Sequence, residues 1–100
     1  MINSIKTYIR PNVGIKWWFE VINMSARAVH IQKNYFDTGK ILTIQTIYTD
    51  PLKISYLIQW KDQDAVDEWT RDTILTKSDQ DERDPYMRKN SMTSLSTFWF

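Results

Sequence analysis

Apolar and polar positions alternate along residues 2–10, placing Ile5, Thr7 and Ile9 on one face and Ile2, Tyr8 and Arg10 on the other. A side-chain period of two predicts a strand. Pro11-Asn12 ends it, because proline has no N–H to give to a ladder and both residues favour turns. From about Trp18 to Phe36 the period becomes helical. Met24, Ala28, Ile31 and Tyr35 share one stripe, while Ile22, Val29 and Phe36 form a second on roughly the opposite side. A helix with two apolar sides is expected to contact more than its own sheet. Asn23 or Ser25 can cap or break it, and Gly39 stands where a left-handed residue commonly closes a helix.

The stretch "KILTIQTIYTDPLKISYLIQWK" holds two β-branched, aromatic-rich runs around "DPLK", and Asp-Pro is a type I turn preference. A hairpin closed by this turn pairs Ile47 with Tyr56 and Thr43 with Trp60. One face then carries Ile41, Thr43, Gln45 and Ile47 against Ile54, Tyr56, Ile58 and Trp60. The other carries Leu42, Ile44 and Tyr48 against Leu57, so neither face is polar. "KDQDAVDEWTRDTI" reads as a second helix, with Asp62 or Asp64 near its positive end and Ala65, Val66, Trp69 and Thr73 on its buried side. Residues 76–91 are charged, with Asp84-Pro85 opening one short helical turn to about Lys89. Residues 92–100 alternate again and predict a last strand.

The predicted order is β-α-β-β-α-β, the split βαβ pattern of an α+β ferredoxin-like domain spanning residues 1–100. Both helices would cover one face of a four-stranded antiparallel sheet. Four strands of ordinary length make a flat face of about 350 Å². A second face as apolar as the hairpin suggests would use the whole patch a monomer normally tolerates, so a cover is expected. A second copy related by two-fold symmetry is the commonest one.

Three further segments carry a resemblance: the aromatic connection "GIKWWFE", the helix-to-strand junction "YFDTGKIL" and the turn "RDPYMRKN" before the final strand. With the element order, they resemble the dimeric α+β barrel superfamily, which includes the antibiotic-biosynthesis-monooxygenase-like and stress-responsive barrel proteins. The resemblance spans nearly the whole chain and lies in pattern. It implies a homodimer with two sheets packed face to face and a pocket in each subunit between sheet and helices. Many relatives handle small aromatic or aliphatic molecules.

Composition narrows the chemistry. A formal net charge of +1 gives no phosphate footprint, and no apolar run approaches a membrane span, so neither nucleic acid nor membrane is an expected partner. The N-terminus lacks the apolar segment of a secretory leader, and a cytoplasmic location is expected. The absence of cysteine removes disulfides and thiolate sites. With two glycines, neither a P-loop nor a dinucleotide fingerprint can be written, and "RPNVGIKWW" lacks an acylphosphatase-type anion loop. No cofactor and no metal site is expected, since "DQDAVDE" and "DQDERD" read as helix-capping or solvated carboxylates.

His30 is the only histidine, so a Ser-His-Asp triad has no nucleophile elbow to join. Its angle from both stripes favours an exposed position, with a helix contact or a general base as alternatives. Haem-degrading relatives use a histidine late in the chain, which this position does not match. An RNA-binding alternative would display Tyr8 with Tyr56 or Trp60, but "KISYLIQW" lacks the glycine-aromatic pattern.

Aromatic surface remains, at 14% of the chain with five Trp. Three successive rings in "KWWF" cannot all point into one core, so at least one is expected at a partner or a cavity mouth. The expected ligand walls are Trp18, Phe19, Tyr56, Trp60 and Trp69; no catalytic residue is assignable. "TFWF", at the other end of the sheet from "KWWF", is expected to be interface. The leading expectation is a cofactor-free homodimer that binds a small apolar or aromatic molecule. A monooxygenase-like enzyme and a purely structural assembly protein are the alternatives.

Overall fold

The computed structural model describes residues 1–100, the side chain of Thr49 excepted. Strand β1 (Ile2–Ile9) leads through a loop to the one-turn helix α1 (Trp18–Val21) and then α2 (Met24–Ile31), which runs on as a π-helical segment (Gln32–Phe36). Strands β2 (Ile41–Asp50) and β3 (Lys53–Trp60) form the hairpin. Helix α3 (Gln63–Arg71) is followed by α4 (Thr73–Ser78), a second π segment (Asp79–Arg83), α5 (Asp84–Lys89) and strand β4 (Thr93–Trp99). All pairings are antiparallel, in the order β2-β3-β1-β4. This is the ferredoxin-like α+β fold the alternation predicts.

Each helical region is cut where a side chain can cap it. The expected continuous helix over 18–36 breaks at Ile22–Asn23, where the Asn23 side chain accepts the Ser25 N–H at 3.1 Å and opens α2. Asp72 separates α3 from α4, accepting the N–H groups of Ile74 and Leu75 at 3.0 and 3.1 Å. The charged segment expected to hold one short turn is instead helical from Thr73 to Lys89. Gly39, at φ +73°, closes the first helical region: its N–H reaches Phe36 O and that of Lys40 reaches Tyr35 O, a Schellman pair.

The hairpin register differs from the expected one. Asp50 pairs with Lys53 around the turn, but the ladder shifts between Tyr48 and Asp50, and Ile47 then lies opposite Ser55, with Thr46 opposite Tyr56. One extra residue turns the side chains of β2 from Tyr48 back to Thr43 to the other face. The helix-covered face therefore joins Ile44 and Tyr48 to Ile58 and Ile54, and Ile41 meets Trp60 through a second shift. The outer face of the hairpin is Thr43, Gln45 and Ile47 with Ser55, Leu57 and Gln59, half polar rather than apolar. On β1, Ile2, Ser4, Lys6 and Tyr8 face the helices; Asn3, Ile5, Thr7 and Ile9 face out.

Two core clusters sit under the helices. Ile2, Tyr35, Ile41, Trp60, Ala65, Val66 and Leu75 fill one end. Tyr8, Trp17, Trp18, Ile54, Met87 and Met92 fill the other. Between them the layers part.

Candidate functional site

A cavity of about 520 Å³ lies where sheet and helices separate. The structure places all five expected wall residues, Trp18, Phe19, Tyr56, Trp60 and Trp69, around it. Their neighbours hold them in place. The Trp60 ring meets Trp69 edge-on at 5.5 Å, and Trp69 meets the buried Tyr35 ring at 4.9 Å. Trp60 donates its indole N–H to Ser4 Oγ at 2.9 Å, which settles that buried donor. At the other end Phe19 packs edge-on against Tyr56 at 6.1 Å, and Trp18 against Tyr8 at 5.6 Å.

The three rings of "KWWF" have separate tasks. Trp17 is buried, lies under the Arg10 guanidinium at 4.6 Å and does not line the cavity. Trp18 is buried in the core with an edge on the cavity, and half-buried Phe19 stands beside it. Phe98 of "TFWF" corrects the expectation that the two clusters stay apart. It sits opposite Ser4 on the helix-covered face and lines the same cavity, because the cavity runs along β1. Trp99 alone of that pair faces out.

Sequence reasoning missed the charged wall. Lys6, Arg27 and Arg83 line the cavity, and among the described residues no carboxylate does. Two of the three cations are paired: Arg27 with Asp79 at 2.7 Å, and Arg83 with Asp79 at 3.4 Å and Asp84 at 3.0 Å. Asp79 is thus no freely solvated member of "DQDERD". Lys6 makes no ion pair among the described residues. Burial, aided by the positive charge of Arg83, lowers its ammonium below the usual lysine value against the opposing pull of Asp79 and Asp84. Burial raises the Tyr56 hydroxyl to about 12 and also raises Tyr8, so both remain neutral phenols at physiological pH. The Trp18 indole N–H is buried without a hydrogen-bond partner.

The signals for these residues existed. Lys6 has the parity of Ile2 and Tyr8, a charge on a core face, and Arg27 falls three residues after Met24 and four before Ile31, on the apolar stripe.

His30 lies away from this cavity and is not solvent-exposed as expected. Its Nε2 meets Asp72 Oδ2 at 2.7 Å, and the same oxygen accepts the Tyr35 hydroxyl at 2.6 Å. This ties the first helical region to the α3–α4 junction. Of the residues the RNA-binding alternative would display, Tyr8 and Trp60 are buried under helices and Tyr56 is half-buried. Among the described residues no cluster of His, Asp or Glu has a metal-binding arrangement, and no helix is long and apolar enough to cross a membrane.

No family model and no curated protein matches this chain. Solved structures share its fold. A proposed antibiotic biosynthesis monooxygenase from Deinococcus radiodurans superposes with a TM-score of 0.63 at 13% identity, covering 100% of this chain and 91% of that one. An antibiotic biosynthesis monooxygenase gives 0.61 at 11% identity, with 100% and 97% covered. A dimeric ferredoxin-like protein from an uncultured marine organism gives 0.58 at 10% identity, with 98% and 92% covered. The chain therefore shares the ferredoxin-like fold of these structures.

Proposed function

We propose that this protein is a homodimer whose subunits each bind a small, largely apolar molecule between sheet and helices. The observation that carries this reading is the aromatic-walled cavity of about 520 Å³, a size in the range of small-molecule sites. A side chain-filled interior would have served a purely structural protein better, because voids forfeit packing energy. The outer sheet face supports the dimer. It carries Ile5, Ile9, Ile47, Leu57, Leu95 and Trp99, of which Ile47, Leu95 and Trp99 are 40, 55 and 42% exposed. A solved neighbour of the same fold is described as dimeric.

Native mass spectrometry of protein purified from cells tests the reading. A dimer carrying one small molecule per subunit is expected; an unliganded monomer is the contrary result. The monooxygenases among the fold neighbours favour a second reading, in which the cavity holds an electron-rich phenol or quinol for oxygen without a cofactor. Oxygen uptake over a panel of phenols and quinols separates that activity from binding alone.

A further inference from the structure

We propose that the cavity selects a monoanionic amphipath: an apolar body lying against Trp60 and Trp69, with one carboxylate held at the Lys6–Arg83 end. This rests on the reading of the cavity as a ligand site and names the class of ligand it takes.

The walls are asymmetric along β1. Trp60 is level with Ile2, and Tyr56 is level with Lys6. Four residues of strand separate the two levels by about 13 Å. The Trp60 end is finished: its indole donor is satisfied by Ser4, and Trp69 and Val66 close it with apolar surface. The Lys6 end is unfinished. Lys6, Arg27 and Arg83 face two nearby carboxylates, Asp79 and Asp84, neither of which lines the cavity. Three cations against two anions leave one positive charge, and Lys6, whose ammonium lies 5.7 Å from the Tyr8 ring, is the group without a carboxylate partner among the described residues. A half-buried, uncompensated ammonium is costly unless an opposite charge arrives.

The positive charge gathers at this end: the Arg27 and Arg83 guanidinium groups lie 5.4 and 5.9 Å from the Trp18 ring, and both line the cavity with Lys6. Ammonium and guanidinium groups only donate, and an ionised carboxylate only accepts. A single negative charge matches the single positive excess.

The test is calorimetric titration of the full-length protein with phenylbutanoate and with phenylbutanol, which differ only in the head group. The acid is expected to bind at least about tenfold more tightly, the scale of a hydrogen bond to a charged group. Lys6→Met should remove that preference, and its thermal unfolding reports whether the variant is folded. Lys6→Arg should keep the preference. Equal binding of acid and alcohol by the native protein, or a preference that survives Lys6→Met, would overturn the inference while leaving the cavity as an apolar ligand site. Binding of neither compound would overturn both. If Lys6→Met does not fold, the native acid-to-alcohol ratio decides alone.

Discussion

Ser91 holds a backbone φ of +55° where α5 ends. The N–H of Ser91 reaches Arg88 O, and that of Met92 reaches Met87 O at 2.9 Å, so this junction repeats the Schellman geometry of Gly39 with a side chain present. The left-handed conformation costs an L-residue about 1–2 kcal/mol, part of which glycine returns as extra freedom in the unfolded chain. Ser91→Gly should therefore stabilise the protein by about 0.5–1 kcal/mol, seen as a melting temperature higher by a few degrees. Asp72 carries a different kind of weight. Burial disfavours its charge, but hydrogen bonds from Tyr35, His30 and the Leu75 N–H outweigh this and hold its carboxyl below the ordinary value. A carboxyl lowered by folding adds stability above its unfolded value of about 3.9, and that stability is lost as pH falls through the lower folded value. Asp72→Asn should cost about 1–3 kcal/mol in urea unfolding at neutral pH, and the gap from the native protein should close with increasing acidity.

At the scale of elements, the alternation of β1, the β-branched hairpin runs and the Gly39 stop were legible because each depends on local periodicity or a single backbone preference. The register of β2 was not. Its shift between Tyr48 and Asp50 is an irregularity of one residue that no residue type announces, and it exchanges the two faces of the strand. The breaks at Asn23 and Asp72 were half legible, since capping residues were visible but their competition with helical continuity is settled by tertiary packing. The aromatic walls of the cavity were readable as a composition looking for a surface. Of its cations, Lys6 and Arg27 occupy apolar-face positions of β1 and α2, but Arg83 sits in a charged run that resembles a solvated face and is drawn inward by contacts with Tyr8, Asp79, Asp84 and the Trp18 ring. The outer sheet face yields its own prediction. Leu95 lies opposite Thr7 and is exposed in the subunit, so Leu95→Glu should leave the monomer fold intact. Burying that charge at a sheet-to-sheet interface should weaken the dimer by at least about a hundredfold, measured by sedimentation. An unchanged dimer would place the interface elsewhere.

In the molecule as a whole, one sheet serves two purposes. Its outer face carries a mixed apolar surface, which the proposed dimer would cover, and its inner face meets helices that close on it at both ends but leave space between the two core clusters. Ile58 stands midway along that space, opposite Ser4 on β1 and Ile44 on β2, and lines the cavity. Ile58 also packs against the first core cluster, and a tryptophan there would project its added volume into the space. Calorimetric titration of native protein and Ile58→Trp with phenylbutanol, alongside thermal unfolding of both, is the decisive measurement. One molecule bound per native subunit, with at least about a tenfold loss of affinity in an equally stable Ile58→Trp, is the predicted result. No binding by the native protein, or equal binding by both, would contradict it.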